Sequence, residues 1–153
     1  MKKYCYDYSM PAVTTDCIIA RARNTNRPEL LWSKRKNEPY QGLWALAGGF
    51  VEINEDLQQS AERELEEETG LKQLDLQQFK TYGRPGRDTR GRTIAVVYYA
   101  WLKQHLPAEA GDHAAEVQWF PIDQLPALAF DHHEIILDFI RTMMQQPTEN
   151  ESS

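Results

Sequence analysis

One acidic segment constrains this chain more than any other feature: residues 49–71 read GFVEINEDLQQSAERELEEETGL. The segment predicts a helix from about Glu55 to Thr69, because apolar residues recur every four positions and would face a core. These apolar residues are Leu57, Ala61 and Leu65. Three glutamates share another face of the helix, since positions three and four apart are neighbours. They are Glu64, Glu67 and Glu68.

The glutamate face is unfavourable for a helix unless cations lie on it. Like charges one turn apart repel each other modestly, and a bound cation offsets that repulsion. Carboxylate oxygens are hard ligands of the kind that Mg²⁺ and Mn²⁺ prefer. The three glutamates therefore predict a divalent-metal site that handles phosphate. The alternative interpretation is a solvated acidic face of a surface helix.

Neighbouring residues support the metal interpretation. The Gly48-Gly49 pair allows a tight turn that would bring the Gly48 carbonyl near the metal as a further ligand. Arg63 lies four residues before Glu67, so it can neutralise and orient that carboxylate. Each of these residues has its own physical reason to stand at its position, which argues against a merely solvated face.

The two ends of the predicted helix carry recognisable signals. Asn54 is a candidate N-cap, and Glu55 suits the positive end of the helix dipole. Gly70 is a natural stop after the last helical residue. The positions with predicted structural roles in the segment are Gly49, Glu55, Arg63 and Gly70.

The segment resembles the signature of the Nudix hydrolases, G-x5-E-x7-R-E-U-x-E-E-x-G-U with U apolar, at every defined position from Gly49 to Leu71. Further landmarks resemble the bacterial ADP-ribose pyrophosphatase branch of that family. They are Arg35, Pro39, Trp44, the run ALAGGFVE, residues 83–92 (GRPGRDTRGR), residues 116–121 (EVQWFP) and residues 129–132 (AFDH). Ala47 is a departure, because the branch usually has proline there.

The resemblance implies an α/β fold, a Nudix-type α/β/α sandwich with a mixed β-sheet. The residue pattern itself predicts strands, with Thr93–Leu102 the strongest because its apolar run is nearly continuous. The other predicted strands are 4–10, 13–20, 30–34, 43–46, 74–82 and 117–120. A last helix is predicted to run from a cap at Asp131 to about Met144.

Bulk properties narrow the class of protein. At 153 residues the chain predicts one domain over residues 1–145, followed by a polar tail over 146–153. A net charge of −6 argues against nucleic-acid and anionic-membrane partners. The sequence shows no apolar run near membrane-spanning length and no secretory signal, and Cys5 and Cys17 make no disulfide framework. A cytoplasmic protein is therefore expected.

Hydrolysis of a phosphoanhydride needs a base for the attacking water. A glutamate of the acidic helix is one candidate. The resemblance implies a second, Glu116, since related enzymes use a glutamate from this loop; the alternative is a strand-edge charge. Asp112 is a weaker substitute. The four histidines are interpreted as non-catalytic.

Substrate phosphates also need cationic partners. The glycine-rich loop of residues 83–92 carries Arg84, Arg87 and Arg90, which could clamp a diphosphate. The alternative is a solubilising hairpin turn. Arg35 is a further candidate for the diphosphate or a ribose. Three aromatic residues flank the acidic segment and either stack on a base or belong to the core: Tyr40, Trp44 and Phe50.

The favoured function is a Mg²⁺-dependent pyrophosphohydrolase, with Mn²⁺ as a substitute metal. The resemblance implies ADP-ribose as substrate, with AMP and ribose 5-phosphate as products, and a homodimer. One alternative is hydrolysis of nucleoside triphosphates, including oxidised deoxynucleotides. Another is a non-catalytic module that senses ADP-ribose.

Overall fold

The computed structural model describes residues 3–104, 106–111 and 113–143. Asp112 and the predicted tail over 146–153 lie outside the described residues. The elements in chain order are β1 (Ala12–Arg21), β2 (Glu29–Arg35), β3 (Trp44–Ala45), β4 (Ala47–Phe50), α1 (Leu57–Thr69), β5 (Gln77–Tyr82), β6 (Thr93–Leu102), β7 (Ala114–Pro121) and α2 (His132–Met143).

The strands form one mixed sheet around β1. The order β3-β2-β1-β6-β5 runs across it, while β4 also pairs with β1 and β7 pairs with β2. The pairing of β1 with β6 is parallel, and the other pairings are antiparallel. Strands β2 and β4 share one edge of β1 but pair with different parts of it. They therefore diverge, and a cleft opens between them.

Each face of the sheet is covered by one helix. The core on the α1 side contains Ala61 and Leu65 of that helix. The core on the α2 side contains Ile135, Ile136 and Phe139. Residues of β6 alternate between the two cores, so this strand is buried on both faces. The predicted α/β fold with a mixed sheet and two helices is confirmed, and Thr93–Leu102 is a strand at the predicted bounds.

Several predicted boundaries were wrong. Residues 4–10 form no strand, and Tyr4, Tyr6 and Tyr8 are exposed there. Strand β5 begins at Gln77 because Leu74 and Leu76 pack into the core beneath α1 without joining the sheet. The predicted homodimer therefore has no N-terminal strand to support it and stays a prediction.

The acidic helix begins two residues later than predicted. Asp56, not Asn54, is its N-cap: the Asp56 carboxylate accepts the Leu57 N–H at 2.7 Å, and Gln59 Oε1 accepts the Asp56 N–H at 3.0 Å. This is a capping box, which satisfies otherwise unpaired backbone donors. The helix ends as predicted at Gly70, whose positive φ of 76° suits a residue without a Cβ.

Helix α2 is tied to the sheet by a buried histidine. His132 accepts the Leu46 N–H through Nδ1 at 3.0 Å, which fixes the start of α2 beside the short strands β3 and β4. Burial lowers the pKa of His132 to about 4, so the ring is neutral when it accepts this bond. None of the described helices is both long enough and apolar enough to cross a membrane.

This histidine makes stability sensitive to acid. The unfolded chain protonates His132 near its ordinary pKa of about 6.5, before the folded chain does, so the stabilisation is complete above that pH and is lost as the pH falls toward 4. We expect the free energy of unfolding to drop by about 2 kcal/mol more between pH 7.5 and pH 5.0 in the wild type than in His132→Gln. Urea denaturation at the two pH values measures this difference. His133→Gln, which alters an exposed neighbour, should keep the wild-type dependence; equal dependence in all three proteins would contradict the assignment.

Candidate active site

Arg63 organises the carboxylates of the acidic segment. Its guanidinium donates to Glu55 at 2.6 and 2.9 Å, to Glu64 at 2.8 Å and to Glu67 at 3.2 Å. It also donates to the carbonyl of Phe50 at 3.2 Å, which joins α1 to the end of β4. The hydrogen bond from Arg63 lowers the pKa of Glu55 to about 2. Glu55 thus lies before the helix as a partner of Arg63, and Arg63 orients Glu64 as well as Glu67.

Gly49 is required by the close approach of Glu64. A Cβ at residue 49 would lie 2.5 Å from Glu64 Oε1, so a larger residue would displace this carboxylate. Burial raises the pKa of Glu64, although the hydrogen bond from Arg63 opposes that effect. The motif glycine therefore makes room for a motif glutamate.

Glu68 lies against the backbone of β4. Its Oε2 accepts the Gly48 N–H at 3.3 Å. Burial raises the pKa of Glu68 to about 8, and the charge of Glu64 adds to the shift. A Cβ at Gly48 would overlap the side chain of Asp16 on β1, so this glycine also permits a close approach.

Asp16 is a site residue that the sequence analysis missed. It is buried on β1, lines the same cleft as Glu68, and takes a 3.3 Å hydrogen bond from Thr14 Oγ1. Burial raises its pKa to about 7. The sequence feature that could have identified Asp16 is a single carboxylate inside the mostly apolar segment TTDCIIA of β1.

Three acids with raised pKa values suit a divalent cation. Asp16, Glu64 and Glu68 all have raised pKa values because burial disfavours their charged forms, and a cation would compensate for that charge. Within the described ranges no three Asp, Glu, His or Cys side chains already converge to hold a metal ion. Arg63 instead occupies oxygens of Glu64 and Glu67, so those oxygens would have to exchange the guanidinium for a metal.

Two of these acids, Asp16 and Glu68, line a cleft of about 130 Å³ together with Gly48 and Gly49, which we call its acidic side. Glu64 and Glu67 are not among the residues that line it. Its basic side, which also includes Asp88, carries these cationic side chains: Lys34, Arg35, Lys36, Arg87 and Arg90. A ligand that carries several negative charges could therefore contact both bound cations and guanidinium groups in this cleft.

The arginine-bearing loop of residues 83–92 is anchored by ion pairs. Arg87 donates two hydrogen bonds to Asp131, at 2.8 and 2.6 Å, and its side chain is only 3% exposed. The Asp88 carboxylate accepts the Arg90 guanidinium at 2.8 Å and the Arg90 N–H at 2.9 Å. The loop is thereby fixed to the start of α2.

The four predicted substrate-binding arginines do not all reach the cleft. Arg84 lies elsewhere, where it pairs with Glu134 of α2 at 2.9 Å. Arg87 lines the cleft, but both of the donors just described are already used by Asp131. Arg35 and Arg90 also line it. Arg90 donates to Asp88 through Nε and Nη2, but its side chain is 31% exposed whereas that of Arg87 is 3% exposed, so Arg35 and Arg90 remain the candidates.

Glu116 lies inside β7, not before a strand, and pairs with Lys34 at 3.9 Å. It is half-exposed and is absent from the described residues that line the cleft. His113 does line it. The connection before β7 is held against α1, because the N–H groups of Glu109 and Gly111 donate to the carbonyls of Thr69 and Glu68 at 2.9 and 3.0 Å.

The flanking aromatics have different roles. Trp44 packs edge-on against Phe120 at 5.0 Å, within the core on the α2 side. Tyr40 packs edge-on against Phe130 at 4.8 Å. Phe50 is 43% exposed and lies beside the Arg90 guanidinium. Phe130 also lines the cleft; the sequence pointed to it only as part of the run AFDH at residues 129–132.

Two relatives are similar over most of this chain. An ADP-ribose pyrophosphatase of Methanocaldococcus jannaschii is 41% identical over 143 residues, which cover 92% of this chain and 79% of the relative. An ADPR-responsive transcriptional repressor, NtrR, of Acinetobacter baylyi is 33% identical over 85% of this chain, but the match spans only 53% of the repressor.

Two solved structures share the fold. The NUDIX domain of Shewanella oneidensis NrtR in complex with ADP ribose superimposes with a TM-score of 0.80 at 28% identity, covering 89% of this chain and 92% of that domain. A bifunctional NMN adenylyltransferase/ADP ribose pyrophosphatase of Francisella tularensis, with AMP and a Mn ion, gives a TM-score of 0.75 at 28% identity over 89% of this chain and 43% of that one. Residues 10–142 match the NUDIX domain family. The chain belongs to the Nudix hydrolase family.

Proposed function

We propose that this protein is a Mg²⁺-dependent pyrophosphohydrolase that cleaves ADP-ribose to AMP and ribose 5-phosphate. The observation that carries the proposal is the cleft, where Asp16 and Glu68, whose pKa values are raised by burial, lie among several cationic side chains. That arrangement complements a diphosphate whose oxygens bridge bound cations and arginines. The similarity to the Methanocaldococcus jannaschii enzyme supports ADP-ribose within this class.

The acidic side would hold the metal. Glu64 and Glu68 are the innermost candidate ligands, and Glu67 and the Gly48 carbonyl complete the proposed set. Bound Mg²⁺ would supply a coordinated water of lowered pKa and would neutralise charge on the phosphates. Mn²⁺ is a proposed substitute, because one solved relative contains it.

Side chains of this protein would accept the proton of the attacking water and stabilise the charge that develops on the phosphate oxygens. Water attacks one phosphorus, the bridging P–O bond breaks, and the proton of the water passes to a carboxylate. The base is a glutamate of α1 or Glu116; Glu116 would have to approach from its position beside Lys34. Arg35 and Arg90 would hold the diphosphate oxygens from the basic side.

The proposal is tested by following products with and without Mg²⁺. We expect metal-dependent conversion of ADP-ribose to AMP and ribose 5-phosphate, with no release of inorganic pyrophosphate. Reaction in ¹⁸O-labelled water, analysed by mass spectrometry, would show which phosphorus is attacked. A preference for nucleoside triphosphates, including oxidised deoxynucleotides, with release of pyrophosphate would instead support the triphosphate alternative.

A second candidate is a domain that binds ADP-ribose without cleaving it, as the similarity to an ADPR-responsive repressor suggests. The matched Glu64, Glu67 and Glu68 favour catalysis over this alternative, since binding alone does not require a metal-ligand cluster. Calorimetric binding of ADP-ribose with no AMP formed after prolonged incubation with Mg²⁺ would identify a sensor.

A further inference from the structure

Phe130 has an unusual backbone conformation at the edge of the cleft. Its φ is +50°, in the left-handed region that side chains other than glycine rarely adopt. The conformation is fixed from both sides: the Ala129 N–H donates to the Trp44 carbonyl at 2.8 Å, and His132 accepts the Leu46 N–H at 3.0 Å. Residues held in such conformations concentrate at functional sites. The conformation of Phe130 therefore suggests that the position of its ring matters for function.

The ring is the meeting point of two arginines from distant parts of the chain. The Cζ of Arg35, at the end of β2, lies 4.9 Å from the Phe130 centroid, and the Cζ of Arg90, in the loop before β6, lies 4.6 Å from it. Tyr40 packs edge-on against the same ring at 4.8 Å. Both arginines line the cleft.

Two guanidinium groups this close to one ring repel each other. The π-face of an aromatic ring attracts cations and reduces that repulsion. Other contacts also hold the arginines: Arg35 Nε donates to the Pro39 carbonyl at 2.7 Å, and Arg90 donates to Asp88 and lies 4.6 Å from the Phe50 ring. The Phe130 ring is the contact that the two cations share.

We propose that Phe130 is a positioning residue, which holds Arg35 and Arg90 together as a paired anion site facing the metal-binding acids. The inference rests on the proposed function and deepens it, because it states how the chain presents two guanidinium groups to one diphosphate. Phe130 itself need not touch the substrate. Its effect passes through the arginines, and this separates it from an aromatic residue that only fills space.

Steady-state kinetics with ADP-ribose and Mg²⁺ test the proposal. Phe130→Leu keeps an apolar side chain of similar size but removes the ring, and we expect KM to rise about tenfold while kcat changes less than about twofold. Phe130→Tyr should restore the wild-type KM. Phe79→Leu, which alters a ring packed against Phe139 at 5.5 Å, is the matched control and should leave KM unchanged.

A combined variant shows whether the effect passes through the arginines. In an Arg35→Ala/Arg90→Ala background, Phe130→Leu should change KM by less than about twofold, because the groups it positions are gone. An undiminished tenfold effect in that background would overturn the inference, and so would a wild-type KM in Phe130→Leu itself.

Calorimetry with inorganic pyrophosphate in the presence of EDTA separates this inference from the proposed function, since it requires no turnover. Wild-type protein should bind the anion at low salt, and Phe130→Leu should bind it about tenfold more weakly. Failure to hydrolyse ADP-ribose would reject the proposed function, but the binding of pyrophosphate would still test the paired anion site. Absence of wild-type binding, or equal affinity in the variant, would reject the paired anion site.

Discussion

Glu68→Gln is expected to lower kcat by about 10²- to 10³-fold without weakening the fold. The substitution removes a proposed metal ligand but keeps an oxygen that can accept the Gly48 N–H. Burial already disfavours the charged form of Glu68, so a neutral side chain should be tolerated. Without metal, this variant should therefore melt no lower than the wild type. Added Mg²⁺ should raise the Tm of the wild type but not the Tm of Glu68→Gln.

Glu66→Gln is the matched control for this experiment. Glu66 lies on the same helix but is exposed, so its variant should retain both activity and the Mg²⁺-dependent rise in Tm. Wild-type turnover by Glu68→Gln at saturating Mg²⁺ would remove Glu68 from the metal site. A large loss of Tm in that variant would mean that the residue serves the fold.

The second large effect concerns stability. Arg87→Met should reduce the free energy of unfolding by about 3 to 5 kcal/mol, because it leaves the nearly buried Asp131 carboxylate without its charged partner. The two side chains are only 3% and 10% exposed, and they share two hydrogen bonds. Urea denaturation at pH 7 measures the loss.

Arg84→Met provides the comparison, since it breaks an ion pair of the same loop in a solvated setting. That variant should lose no more than about 1 kcal/mol. A double variant, Arg87→Met/Asp131→Leu, should recover part of the stability lost in the single variant by removing the unpaired charge. Similar losses of unfolding free energy for Arg87→Met and Arg84→Met would show that the Arg87–Asp131 pair contributes no more to stability than the exposed Arg84–Glu134 pair.

The sequence predicted best the features that depend on local spacing. The apolar stripe and the Glu64, Glu67 and Glu68 face follow from helical periodicity, and α1 has its predicted end at Gly70. The burial of β6 follows from its nearly continuous apolar run. The start of α1 was misplaced because Asn54 and Asp56 are both good capping residues, and local preference does not distinguish them.

Features that depend on distant contacts were not predictable in the same way. Asp16 becomes part of the site only because β4 pairs beside it and Glu68 packs against that pair. Arg87 and Arg90 have similar surroundings in the sequence and both line the cleft, yet the side chain of Arg87 is 3% exposed against Asp131 and that of Arg90 is 31% exposed. The ring of Phe130 meets its arginines only in the folded chain.

Strands β1 and β6 align in parallel, with Ala12 opposite Thr93 and Arg21 opposite Leu102. This alignment affects the order in which parts of the fold assemble. Contacts between segments so far apart along the chain form late, because a long loop must close before they contribute any stabilisation. Strands β1 and β4 and helix α1 are contiguous enough to associate earlier. During synthesis Asp16, Arg35 and the glutamates of α1 can therefore come together before the loop that carries Arg90 and before β6, so a ribosome-bound chain would acquire Arg35 of the cleft before Arg90.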